Sequence, residues 1–214
     1  MLISFDLDGT LVDYTQFDML FWYEEVPKLY AIKHKLSFEE AKKQVIAEYD
    51  RVGSSNINWY NPSFWFKHFS FLVSHKKIIG DMKKNIVLFN DVIPALSRLK
   101  KNNTLIILTH SSHEFNEFKL EAEGLKGMFS KIISTTSDLH VTKKSEKVYQ
   151  MISDEFGISP KEIIHIGDDY EFDYQAPRRI GIRAFYLDRS GKKKGEDIVS
   201  SLLDFEKALG ASFP

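Results

Sequence analysis

The chain has 214 residues, with 29 basic and 30 acidic side chains for a formal net charge of −1, a balance that argues against bulk electrostatic attraction to nucleic acid or to a membrane surface. It contains no cysteine, which rules out disulfides, thiolate zinc sites and a cysteine nucleophile. Hydrophobic residues make up 43%, enough to build the core of one large domain or of one domain carrying a sizeable insertion.

Leu2-Ile3-Ser4-Phe5 is an apolar run long enough for a buried strand, and it stops on Asp6 and Asp8. In a strand, residues two apart point the same way, so both carboxylates can share one side of the strand end. Gly9 permits a sharp turn and a close approach to a ligand. The run meets Asp6 too soon for a signal peptide, and no apolar stretch approaches membrane-span length, so a cytoplasmic protein with no membrane partner is expected.

From about Asp13 to Asn90 the texture is helical. Phe17 to Glu24 opens a helical region, and Ser37-Phe38-Glu39-Glu40 reads as a helix start leading into Ala41 to Tyr49. Val52 to Asn56 is a breaker cluster. Pro62 then begins a helix whose body is expected over Ser63 to Val73. With no strand pattern here, a small helical domain inserted after the first strand is expected.

Regular alternation follows Asp91. Helices are predicted over Val92–Lys101, Ser112–Glu123 and Ser145–Phe156, then up to Ile180, with a last one over Ile198–Leu209. Strands are predicted over Thr104–Leu108, Lys131–Ser134, Ile163–Ile166 and Gly181–Leu187. Continuous apolar strands alternating with helices predict an α/β fold, a parallel sheet covered on both faces. Such sheets bind ligands at the carboxyl ends of their strands. Asp6, Thr109 and Asp168 each stand where a strand-like run stops.

Asp6-Leu7-Asp8-Gly9-Thr10, after its hydrophobic strand, resembles the first motif of the haloacid dehalogenase (HAD) superfamily, Asp-x-Asp-Gly-Thr. Thr109 at the end of its strand is similar to the second motif, with His110 where relatives often carry Asn. The third motif is a lysine ahead of a helix. Lys143-Lys144 supplies two candidates, and aligning Val148-Tyr149 with the usual helix residues selects Lys143. Gly167-Asp168-Asp169-Tyr170-Glu171-Phe172-Asp173 resembles the fourth, Gly-Asp-x-x-x-x-Asp.

The resemblance implies a Rossmann-like core formed by residues 1–13 and 91–214, with a helical C1 cap domain at 14–90. It implies a magnesium-dependent phosphatase that hydrolyses a small phosphorylated metabolite through an aspartyl-phosphate, as a monomer or homodimer with no nucleic-acid partner. On this reading Asp6 is the nucleophile and Asp8 the acid and base. Thr109, His110 and Lys143 bind phosphate, while Asp6, Asp8, Asp168 and Asp173 serve the Mg2+, with Asp173 supporting either the metal or the lysine. His110 has two further readings, a contact to the leaving group or a helix cap. In the aromatic insert Trp59 and Tyr60 are candidates for substrate choice, set against simple packing of the insert. Asp8 weighs against a dehalogenase, which lacks an acid two residues after its nucleophile. A mutase, or a non-catalytic binding protein of this fold, remains the alternative.

Overall fold

The computed structural model describes residues 1–210. Residues 211–214, the last of the expected core segment 91–214, lie outside the described residues.

Leu2–Phe5 forms β1, and its four residues are buried. Because side chains alternate, Ile3 and Phe5 enter one core with Leu105, Ile107, Ile164 and Phe185, while Leu2 faces the other with Ile106, Leu108 and Ile163. After β1 come α1 (Asp18–Leu20), α2 (Val26–His34), α3 (Phe38–Val52), α4 (Pro62–His68) and α5 (His75–Asp81). The alternating half follows: α6 (Val92–Leu99), β2 (Thr104–Thr109), α7 (His113–Glu121), β3 (Lys131–Ser134), α8 (Glu146–Phe156), β4 (Ile163–Gly167), α9 (Ala176–Arg178), β5 (Arg183–Leu187), β6 (Ile198–Val199) and α10 (Leu202–Gly210).

All pairings in the sheet are parallel, in the order β3-β2-β1-β4-β5-β6. The chain winds outward from β1 through β2 and β3, then returns to its other side for β4. That reversal opens a crevice at the carboxyl end of β1, between β2 and β4. The site forms there.

The insert between β1 and α6 has its own apolar cluster, in which Phe17, Phe21, Tyr49, Trp65 and Phe66 pack with Phe115 of α7. Phe115 is the bridge to the sheet half, meeting Phe21 edge-on at 5.0 Å and Phe17 at 5.8 Å. The chain enters and leaves the insert side by side: Asp13 N–H donates to the Val87 carbonyl and Phe89 N–H to the Leu11 carbonyl. Ser37 and Glu40 close a reciprocal capping box on α3, a device worth about 0.5–2 kcal/mol.

Two elements depart from the sequence reading. The helix expected over Ser63–Val73 stops at His68; Ser70 takes a left-handed conformation and the Lys33 ammonium donates to the Phe69 and Ser70 carbonyls, at 2.6 and 3.1 Å. A new helix, α5, follows. The final helix was expected from Ile198 but begins at Leu202, because Ile198 and Val199 pair with Tyr186 and Leu187 as an edge strand. Unpaired edge groups on β5 outweigh the local helical pattern. Among the described residues no helix is long and apolar enough to cross a membrane.

Candidate active site

Asp6 follows β1 immediately and its own N–H donates to the Ile166 carbonyl of β4. Its side chain is buried, 6% exposed. Gly9 turns the chain back with φ of +81°, and a Cβ there would lie 2.1 Å from Asp168 Oδ2. Glycine is therefore required both for the turn and to let the β1 loop close against the end of β4. Thr10 Oγ1 lies 3.4 Å from Asp168 Oδ1 across the same junction. Gly167 has a similar role, since a Cβ there would fall 2.3 Å from Asp173 Oδ2.

Asp173 sits in a π-type turn, Tyr170–Gln175, that leads out of β4 into α9. It is fully buried and both oxygens are engaged. Oδ1 accepts from the Lys144 ammonium at 2.7 Å and lies 3.2 Å from His165 Nε2, while Oδ2 accepts from the Asp169 N–H at 3.1 Å. His165 itself reaches Ser4 Oγ at 3.0 Å. It is a fully buried core residue that also steadies Asp173.

The lysine of the site is Lys144. Its ammonium is buried and binds Asp6 and Asp173 together, whereas Lys143, the lysine selected from sequence, is exposed. The expected Lys143 assignment is therefore corrected by one position. Burial alone would drive the Lys144 proton off, but Asp173 and Asp6 outweigh it and hold the ammonium above its ordinary pKa.

His110 lies at the same junction, and its role is clearer than the sequence allowed. Its Nε2 accepts the Lys144 backbone N–H at 3.0 Å, which leaves the ring proton on Nδ1. Burial first, then the Lys144 charge, depress its pKa to about 3. The ring is therefore neutral at physiological pH. It anchors the loop that presents Lys144. Thr109 is buried at the end of β2, its Oγ1 accepting the Ser111 N–H at 3.0 Å.

Neutral His110 has a consequence for stability. Its folded pKa lies below the ordinary 6.5, so the unfolded chain binds the extra proton and stability falls as pH drops from about 6.5 toward 3. Thermal unfolding of wild type and His110→Asn between pH 7 and 4 is expected to differ in slope by up to about 1.4 kcal/mol per pH unit. Asn offers an oxygen to the same backbone N–H without the titration. Parallel pH curves for the two proteins would contradict this.

Oxygens of Asp6, Asp168 and Asp173 lie within 4.8 Å of one another. Three carboxylates face one ammonium, and two of them hold protons more tightly than usual. Burial, then the neighbouring Asp173 charge, raise Asp168 to about 7. Burial also raises Asp6 well above the usual carboxylate range, with Lys144 opposing. An all-oxygen set with surplus negative charge fits a hard divalent cation such as magnesium. Each of the three offers an oxygen to such an ion, and those of Asp173 also accept from the Lys144 ammonium and the Asp169 N–H. Asp8 stands beside this group, its Oδ1 accepting from the Lys119 ammonium at 2.6 Å.

Two compartments meet over these residues. A polar one of about 270 Å³ is walled by Asp6, Thr109, Lys144 and Asp168. The other, about 240 Å³, is walled largely by rings, including Trp22, Trp59, Tyr60 and Phe115. Asp8, Tyr14 and His110 border both. Among the aromatics of the insert, Trp65 and Phe66 are buried packing, while Trp59 and Tyr60, singled out from sequence, line the cleft.

A family model for haloacid dehalogenase-like hydrolases matches residues 1–181. The chain belongs to that family. Among its relatives is the GMP/IMP nucleotidase YrfG of Escherichia coli, 28% identical over 182 residues that cover 85% of this chain and 79% of that protein. The HAD fold recurs in a HAD phosphatase from Thermococcus onnurineus, with a TM-score of 0.83 at 24% identity, covering 98% of this chain and 97% of the other. It recurs too in a 2-haloacid dehalogenase from Pseudomonas syringae, with a TM-score of 0.67 at 18% identity over 99% and 98% of the two chains. Within the HAD fold this chain carries one charged group that sequence reasoning passed over, Lys119, although its spacing of four from Phe115 puts it on the buried face of α7.

Proposed function

We propose that the protein is a magnesium-dependent phosphatase acting on a small phosphate monoester whose leaving group has a flat or apolar part, a nucleoside monophosphate being the first candidate. The observation that carries this is the paired cleft: a polar compartment with Asp6 and Lys144 opening, across Asp8, onto one lined by aromatic rings. A phosphoryl group suits the first and a base or other planar group the second, since stacking on rings tolerates many flat partners. The relative named GMP/IMP nucleotidase supports the same class.

Asp6 forms the new bond to phosphorus as the bond to the leaving oxygen breaks, giving an aspartyl-phosphate. Asp8 gives its proton to the departing oxygen and then takes one from the water that attacks phosphorus, which releases Asp6 and inorganic phosphate. Lys144 and Thr109 hold the phosphoryl oxygens, and Asp173 with His165 keeps Lys144 in place. Bound at Asp6 and Asp168, magnesium would neutralise charge on the transferring group. The insert of residues 14–90 acts as the cap, bringing Trp59 and Tyr60 over the leaving group and excluding water.

Asp8 is the reason to prefer a phosphatase to a dehalogenase, because it supplies the proton that an alkoxide leaving group needs and a halide does not. Phosphate release from a panel of nucleoside, sugar and glycolate monophosphates, with Mg2+ and with EDTA, tests the reading. Release that EDTA abolishes, with kcat/KM highest for nucleotides, is the expected outcome. Silence across the panel would overturn it.

A further inference from the structure

We propose that Lys119 is a positioning residue for Asp8 and that Asp18 of the insert holds Lys119 in place. The inference rests on the phosphatase reading above and adds a residue pair to it.

Lys119 lies in the last turn of α7 and has no exposed surface. Its ammonium lies between two carboxylates brought from afar in sequence, Asp8 Oδ1 at 2.6 Å and Asp18 at 2.8 Å, with Ser111 Oγ at 3.5 Å. The rings of Phe17 and Phe115 flank it, their centroids 5.7 and 5.4 Å away. Asp18 is itself nearly buried, its side chain 17% exposed.

Burying an ammonium carries a desolvation cost that two carboxylates roughly repay, so such a group adds little net stability over an apolar side chain of similar size. What it does add is geometry. Asp8 stands at the mouth of the cleft with its side chain 26% exposed, free to turn unless something holds it. A donor with no freedom of its own takes up Oδ1, leaving Oδ2 as the oxygen that exchanges a proton with the leaving group at the junction of the two compartments. Proton transfer depends steeply on such placement. Asp18 belongs to α1 of the insert, whereas Asp8 and Lys119 belong to the sheet half. The orientation of Asp8 is thereby tied to the seating of the insert over the site.

The test is kcat/KM for a series of aryl phosphates, from 2,4-dinitrophenyl phosphate, whose leaving group needs no proton, to phenyl phosphate, whose leaving group does. Lys119→Met keeps the length and the ring packing but removes the charge. It is expected to lower kcat/KM for phenyl phosphate about ten- to hundredfold and for the dinitrophenyl ester less than about threefold. Asp8→Asn should show the same selectivity, and adding Lys119→Met to it should cost little more, since the lysine acts only through Asp8. Equal losses along the series, or additive losses in the double variant, would overturn the proposal and leave Lys119 a structural ion pair. If Lys119→Met does not fold, Asp18→Asn is measured instead and should show the same slope in weaker form. Failure of both variants to fold also counts against positioning. A wild type that hydrolyses neither these esters nor the metabolite panel, or an Asp6→Asn that hydrolyses them as well as wild type, would remove the phosphatase reading itself. Asp6-dependent turnover with uniform losses in Lys119→Met would remove only this one.

Discussion

Asp6→Asn is expected to lower phosphate release by about four orders of magnitude or more, the scale seen when a covalent nucleophile is removed. The amide has the shape of the carboxylate but neither its charge nor its nucleophilic oxygen, and it is a poorer ligand for magnesium. Stability should move the other way. Burial and the repulsion of Asp173, Asp168 and Asp8 already favour a neutral group at this position, against the single attraction of Lys144. An uncharged side chain relieves that repulsion, so the melting temperature without metal should be unchanged or higher. Loss of turnover in a protein at least as stable as wild type separates a chemical role from a structural one. An active Asp6→Asn would end the aspartyl-phosphate scheme.

The second large effect is expected at Lys144. Replacing it by Met leaves Asp6 and Asp173 facing each other in a buried site with no cation, and breaking a buried pair in this way costs about 3–5 kcal/mol. Asp173 is the more exposed to this loss in energetic terms: burial pushes its pKa up, and only Lys144 and the His165 contact bring it below the ordinary range. Turnover should fall about 100- to 1,000-fold as well, because a donor aimed at the phosphoryl oxygens is gone. Added Mg2+ should recover part of the stability, since it supplies positive charge to the same carboxylates. Lys143→Met is the control. That side chain is exposed, and its substitution should shift stability by no more than about 0.5 kcal/mol. Equal effects at the two positions in melting and turnover assays would contradict the placement of Lys144.

The one-residue difference between Lys143 and Lys144 illustrates where sequence reading stopped. Both lysines precede α8, and nothing local distinguishes two adjacent ammonium groups. The choice depends on the direction in which the loop presents each side chain, and His110 helps to set that direction by holding the Lys144 N–H from the end of β2. A contact across 34 positions leaves no trace in the local pattern.

Several other features were legible because they are local. A buried strand needs consecutive apolar residues, so β1, β2 and β4 could be read directly, and so could the polar residues that end them. The requirement for glycine at position 9 follows from a turn that other residues enter at a cost, and Asp6 and Asp8 were visible from their position after β1. Chain order alone placed a helical insert between β1 and α6. Short elements decided by neighbours were not legible: Ile198–Val199 pairs as a strand where β5 offers it an edge, and α4 ends where Lys33 meets the Phe69 and Ser70 carbonyls.

The fold gives Asp8 Oδ1 to the Lys119 ammonium, a partner not read from the sequence. That contact spans 111 positions, and the Asp18 contact spans 101. From sequence, Lys119 is one more basic residue on a helix of mixed charge, and Asp18 one more acid at a helix start. Burial changes both. Periodicity, turn chemistry and motif spacing are short-range properties, and they were sufficient to identify the fold and the family. Which ammonium meets which carboxylate, and which rings form a compartment rather than a core, depend on groups a hundred residues apart being brought within 3 Å, and only the tertiary structure decides that.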